Sequence, residues 1–391
     1  MNTIIKNINL IDGKGELYED YSIAFNSSGI IDIDKKITEK GYEKIIDGRG
    51  RYCLPGLIDL HVHLNLDGNP DMIKQITDDN EGMAALRSLK NGLTQLKNGV
   101  TTVRNCGSKY NVDITLRDAI AEGVWTGPNI VACGEPIVMT GGHCHYFSHE
   151  IDGPYEARKA ARSQFKKGAD FIKVMATSGG NTKNSVPGAT QLSEEEITNI
   201  CVEALNIDNH VAAHAQGNEG IINSINAGVK TIEHGVELDE EALNLMLKNN
   251  VYLIATLAAP HNVIKNSEEG QIPEHVIRSN KLAQIPHKES FMAAIKAGVK
   301  IGVGTDAGTP FNFHGDYVTE LEIMNELGMD EMAVINSATS VGAEVLGRQK
   351  EIGTLERNKR ADIILVNENP LNDIGNLRKI DKVFSNGIEI L

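Results

Sequence analysis

The stretch GLIDLHVHLN, Gly56 to Asn65, sets two histidines inside a run that otherwise reads as a buried strand. Side chains alternate faces along a strand. Leu57, Asp59, His61 and His63 therefore share one face, and Ile58, Leu60 and Val62 share the other, which suits packing against helices. Two imidazoles one pleat apart, at the C-terminal end of a strand, can converge on one cation. A hydrogen-bonded pair of core histidines fits the ten residues equally well, so the choice rests on what the rest of the chain places beside them.

From about residue 100 a rhythm repeats: a helical segment ends in Gly or Asn and a β-branched run follows, as in LKNGVTTVRN, AGVKTIEHG, KNNVYLIAT and AGVKIGVGT. Gly just past a last helical turn is a C-cap. Val, Ile and Thr beyond it begin a buried strand. The alternation indicates βα units on a parallel sheet. Eight strands are expected, at Leu57–His63, Val100–Asn105, Asn129–Cys133, Asp170–Thr177, His210–His214, Thr231–His234, Val251–Thr256 and Lys300–Asp306. The helix LSEEEITNICVEALN opens with a capping box, Ser193 to Glu196. Eight units predict an α/β fold of the closed (β/α)8 TIM-barrel type, whose active sites lie at the C-terminal strand ends. The alternative, an open doubly wound sheet, lacks its G-x-G-x-x-G turn.

Such a barrel takes about 250 residues, fewer than the 391 present. The surplus lies in the flanks, where short alternating strands with turn signals read as β-structure. Each flank is small for a core of its own. We expect residues 1–54 and 352–391 to pair into one composite β-sandwich beside a barrel spanning 55–351. The formal net charge of −15 argues against nucleic acid as a partner. No apolar run of about 18 residues predicts a membrane span, and the N-terminus lacks the basic start and apolar core of a signal peptide. Five scattered cysteines without a C-x-x-C pair read as reduced thiols. These features suit a soluble cytoplasmic protein, compatible with a homo-oligomer, and the motifs that follow are what point to an enzyme with a small-molecule substrate.

Other strand ends bear on the two histidines. Strand five ends in His214, strand six in His234 and strand eight in Asp306. Such residues are the usual ligands of zinc and similar cations, and buried without partners they are costly. Lys173 sits inside the apolar strand ADFIKVMATSGG, on the face of Phe171 and Met175. A lysine is almost never buried unpaired. Desolvation favours a neutral amine, which reacts with CO2 to give a carbamate, an anionic oxygen ligand able to bridge two cations. The competing expectation is a salt bridge from Lys173 to Asp306 or Asp59.

The set DLHVHLN, FIKVMATSGG, AAHAQG, TIEHG and GVGTDAG resembles the metal-dependent amidohydrolase superfamily, nearest its Xaa-Pro dipeptidase and imidazolonepropionase-related group. The likeness runs through the flanking ADIILVNENPL. It implies a binuclear site with two divalent ions, most often zinc. His61 and His63 with Asp306 would hold the first ion, His214 and His234 the second, and carboxylated Lys173 would bridge them. It further implies a metal-bridging hydroxide as nucleophile, Asp306 as proton shuttle and His143, in MTGGHCHYFSHE, polarising the substrate carbonyl. The activity implied is hydrolysis of an amide or peptide-type carbon–nitrogen bond, dipeptidase-like. A ring-opening hydrolase of a cyclic amide, imidazolone or lactone, and a non-catalytic binding protein on the same fold, are the alternatives.

Around this set, Gly141 and Gly142 are expected to let backbone approach a ligand. Arg104 is expected either to meet a substrate carboxylate or to form a structural ion pair. Asn105 stands where similar proteins commonly have Asp, and ATLAAPHNVI lacks a tyrosine often found there. His145 and His149 read as loop residues, Glu219 as a helix-surface residue and Cys144 as a weak thiolate candidate. His261 and His314 are left open. Residues from Ala258 to Pro286 read as a long lid or specificity loop.

Overall fold

The structure, a computed structural model, describes residues 1–391 except Asn181, Lys183 and Asn184. All eight expected parallel-sheet strands form: β1 (Leu57–Val62), β2 (Val100–Asn105), β3 (Asn129–Ala132), β4 (Ile172–Met175), β5 (Val211–Ala215), β6 (Thr231–His234), β7 (Tyr252–Ile254) and β8 (Ile301–Gly302). Two further three-residue strands, Ile137–Met139 and His149–Ile151, were not expected and extend the sheet beyond β4. The chain is thus an α/β fold with one sheet ordered β1-β2-β3 and a seven-stranded parallel sheet running through β4 to β8 in sequence order.

Register levels the strand ends. Met175 pairs with His214, and Ala215 pairs with His234. Between the two ladders the Asp170 amide donates to Ala132 O at 2.7 Å, Leu60 N to Val303 O at 2.8 Å and Asp306 N to His61 O at 2.7 Å. This last bond brings the β8 end beside the β1 end. Every residue of β1, β2 and β4 to β8 is buried, so these strands read as apolar on both faces except where chemistry intrudes.

Residues fall into two compact units: Met1–Asp59, Leu93–Thr102 and Gly315–Leu391 form one, and Leu60–Gly92 and Val103–His314 the other. In the first, strands from both chain ends join one eight-stranded sheet. Ile363–Val366 pairs antiparallel with Tyr52–Pro55, which pairs parallel with Thr3–Ile11. Alternation supplies its core, in which Ile5, Ile23, Phe25, Ile363 and Phe384 are buried and the two phenylalanines meet edge to face at 4.9 Å.

In the second unit the capping box at Ser193 is present, with Ser193 and Glu196 satisfying each other's backbone amides. Residues expected to be a long loop after β7 are instead helices, Ala258–Lys265 and Glu274–Ala297. Pro286 does not end the second one. Val276, His287, Phe291 and Ala294 fall at helical spacing and bury one stripe, which outweighs the single backbone bond that proline removes. Among the described residues no helix is long and apolar enough to cross a membrane.

Candidate active site

The strand ends open into a cleft lined by His61, His63, His143, Lys173, His214, His234 and Asp306. Every residue predicted to ligate a metal is therefore in one place. Asp306 Oδ1 lies 3.3 Å from His63 Nε2 and 3.5 Å from His61 Nε2. Lys173 Nζ is 3.4 Å from His61 Nε2. Ring centroids of His214 and His234 are 4.6 Å apart, and those of His61 and His234 are 5.2 Å apart. Ligand atoms of His61, His234 and Asp306 all lie within 4.8 Å of one another.

Local backbone aims these groups. Strict alternation would place Glu233 and His234 on opposite faces of β6. His234 takes a left-handed φ of 69° at the strand end, and Asp306 one of 58°, which redirects each side chain into the cleft. Thr256, a β-branched residue and so a costly one there, has φ 58°. Its hydroxyl donates to Ala255 O at 2.6 Å and so accepts from His234 Nδ1 at 2.7 Å. Gly179 closes the floor: a Cβ there would meet His143 Cε1 at 2.5 Å and His214 Cε1 at 2.9 Å.

Hydrogen bonds outside the cleft set the tautomers. His63 Nδ1 donates to Gly107 O at 3.2 Å, and His61 Nδ1 donates to the Glu233 carboxylate at 2.7 Å. Carbonyls and carboxylates only accept. In the neutral form each of these rings, like His234, therefore turns an unprotonated Nε2 inward. Burial, reinforced by the Lys173 amine and neighbouring imidazoles, pushes His61 and His234 well below the ordinary histidine value. His214 is likewise lowered, by burial and then by His143 and His234. His143 falls to about 3 by burial and the nearby Lys173.

The outcome is a set of lone pairs facing a carboxylate. Nε2 of His214 is buried without a hydrogen-bond partner among the described residues. Acceptors aimed at acceptors repel, and an orphaned buried nitrogen costs roughly 1–3 kcal/mol. Divalent cations remove both penalties, and an imidazole-rich set with carboxylate suits zinc-type ions. The residues fit a metal centre. A second geometric grouping, His61, Cys106 and Glu233, does not. Burial pushes the Cys106 thiol up to about 12, and Glu233 is already engaged by Arg104.

Lys173 is 1% exposed, and among the described residues no carboxylate oxygen lies within ion-pair distance of its amine. The expected alternative bridge to Asp306 or Asp59 does not form. His143 lines the cleft over His214 at a ring distance of 4.3 Å, its Nδ1 2.6 Å from Thr182 Oγ1.

Arg104 was expected either to meet a substrate carboxylate or to form a structural ion pair. It is fully buried and is not part of the cleft lining. Its guanidinium donates to Leu60 O at 2.6 Å, Thr231 Oγ1 at 3.1 Å and Glu233 Oε1 at 2.6 Å, and stacks 5.3 Å over Phe171. β2 directs it inward, and the structural ion pair is the reading its geometry supports. Gly141 and Gly142 form a turn outside the cleft lining. Cys144 lines the cleft, but burial pushes its thiol up to about 12, which disfavours a thiolate ligand. His314 is structural, its Nε2 2.9 Å from Leu66 O, while His145 and Glu219 are exposed. Asn105 accepts from Leu64 N at 2.8 Å and donates to Ser108 Oγ at 2.9 Å and Asp113 Oδ2 at 3.1 Å, holding the turn after His63. His287, also missed, lines the cleft with Nε2 2.7 Å from Ala255 O and 3.0 Å from His234 O. Glu233 was the largest omission, though a glutamate inside the apolar run KTIEHG is a legible signal.

Residues 52–389 match the model of the amidohydrolase family, to which the chain belongs. It is an enzyme, a metal-dependent hydrolase of carbon–nitrogen bonds. Ochratoxinase of Aspergillus niger is 31% identical over 403 aligned residues, covering 93% of this chain and 81% of that one. The crystal structure of a Xaa-Pro dipeptidase with bound methionine in its active site is similar at a TM-score of 0.93, with 34% identity over 100% of this chain and 99% of the other. A prolidase complexed with N-methylphosphonate-L-proline is similar at 0.91, with 29% identity over 100% and 99%.

Proposed function

We propose that the enzyme hydrolyses an amide or peptide-type bond at a binuclear zinc-type centre. His61, His63 and Asp306 would hold one ion, His214 and His234 the other, with carboxylated Lys173 shared between them. The observation that carries this reading is the convergence of all six side chains on one cleft. For the carbamate, the lysine nitrogen bonds to the carbon of CO2, one proton leaves, and a negative carboxyl group results. A buried amine with no carboxylate partner among the described residues supports it. The bound metals supply Lewis acidity and lower the proton affinity of a water. Asp306, beside the Nε2 atoms of His61 and His63, takes the proton from the attacking water and returns it to the leaving nitrogen. His143, neutral at physiological pH, is a hydrogen-bond donor for the oxygen on which charge develops. The low exposure of the cleft strands keeps bulk water from that charge.

The same reading includes a closed (β/α)8 barrel over 55–351 and a terminal β-sandwich from 1–54 and 352–391. It is supported by the backbone bonds between β1 and β8 ends and between Asp170 and Ala132, and by the joining of both chain ends in one sheet. Free thiols at all five cysteines suit a reducing, cytoplasmic setting. The test is metal analysis of purified protein followed by hydrolysis of a panel of dipeptides, N-acyl amino acids and cyclic amides. About two ions per chain and turnover of a linear amide are expected. Metal-loaded protein that turns over no amide rejects the reading.

A further inference from the structure

Glu233 lies outside the six proposed ligands, yet its carboxylate accepts from three side chains beside the cleft. It is 0% exposed and so is Arg104. Oε2 accepts from His61 Nδ1 at 2.7 Å, while Oε1 accepts from Arg104 Nη2 at 2.6 Å and from the Thr231 hydroxyl. Thr231 in turn accepts from Arg104 Nη1 at 3.1 Å, and Arg104 Nε is anchored on Leu60 O, one residue before His61. The guanidinium thus touches both the carboxylate that holds the His61 ring and the backbone that carries it. His63 Nδ1 meets a neutral carbonyl and His234 Nδ1 a hydroxyl. Among these three rings and the described residues, it is His61 that has an anion behind it.

We propose that Glu233, braced by Arg104, is a positioning residue that locks His61 in the Nδ1–H tautomer and strengthens Nε2 as a metal donor. This rests on the metal reading above. A carboxylate behind a ligating imidazole fixes ring and tautomer and raises its basicity, and loss of such a partner costs about 10–100-fold in metal affinity. Arg104 holds the carboxylate against rotating away from the ring.

The experiment compares wild type with Glu233→Gln. Glutamine keeps an acceptor at the same place and removes the charge. Zinc-loaded proteins are mixed with a chromophoric chelator, and metal release is followed. The variant is expected to hold metal about 10–100-fold more weakly. In parallel, nitrogen-15 NMR of histidine-labelled, metal-free wild type reads the ring tautomers, with His61→Asn used to assign the signal. Nδ1–H with bare Nε2 at His61 is expected. Unchanged metal retention in folded Glu233→Gln overturns the proposal. So does an Nε2–H tautomer in wild type, a result that needs no folded variant. A wild type that takes up no metal while showing the Nδ1–H tautomer rejects the metal reading and leaves the hydrogen-bond lock standing.

Discussion

Two buried polar clusters share His61 and treat their polarity in opposite ways. Around Arg104 and Glu233, guanidinium, hydroxyl, carboxylate and carbonyl are matched donor to acceptor. At the cleft, imidazole nitrogens face a carboxylate, and His214 Nε2 has no partner among the described residues. The matched cluster is complete within the chain, whereas the other calls for cations. A polar group's burial is thus a poor guide to its role, and the direction of its unused lone pairs is a better one. The sharpest cut between the clusters is Asp306→Asn. It should reduce kcat by about 10²–10⁴-fold, the range for removing a general acid–base group, while denaturant midpoints stay near wild type. A comparable collapse in stability would erase the distinction.

Arg104→Met tests the other side. It leaves Glu233 buried with its cation gone, and should cost about 3–5 kcal/mol in urea unfolding. Adding Glu233→Met removes the stranded charge, and most of that loss should return. Metal retention should not return with it. If the double variant regains both, the matched cluster has no bearing on the cleft. Smaller again is the effect of metal itself. Stripping it should lower the melting temperature, and restoring it at about 100 times Kd should add about 2.7 kcal/mol. His214→Ala should shrink that increment. An unchanged melting curve on metal removal would mean that the facing acceptors are tolerated unaided.

How far the sequence discloses these clusters follows from the range of the interactions. Strands and helix caps are local, so Leu57–Val62 and the Ser193 capping box stand where the pattern puts them. The candidate ligands are legible because a histidine, lysine or aspartate at the end of an apolar strand is conspicuous. Arg104 is equally conspicuous, but its partner Glu233 lies 129 residues away, and no spacing rule links them. His234 and Asp306 enter the cleft through left-handed φ values that alternation does not foresee. The stretch from Ala258 misleads because proline, glycine and charge suggest a loop, while the burial of Val276, His287, Phe291 and Ala294 decides for helix.

The least effect belongs to a third buried group, Asp113, which sharpens the contrast through pH. Its Oδ2 accepts from Asn105 Nδ2 and from Gly134 N at 3.0 Å, yet Oδ1 has no partner among the described residues. Burial outweighs those bonds and raises its carboxyl to about 6. An unfolded aspartate titrates near 3.9. Between about 4 and 6 the folded chain keeps a proton that the unfolded chain releases, so stability from this group falls as pH rises through that window. Buried histidines act oppositely: His287, lowered to about 4 by burial, loses stability as pH falls below about 6.5. Asp113→Asn retains an acceptor for Asn105 and Gly134 and removes the charge. It should gain about 1–3 kcal/mol at neutral pH and little near pH 4. The same geometry accounts for asparagine at 105, since an aspartate there would set a second carboxylate 3.1 Å from the first. Urea melts of both proteins at two pH values check this, and a gain that is equal at both would place its origin in packing and not in the proton.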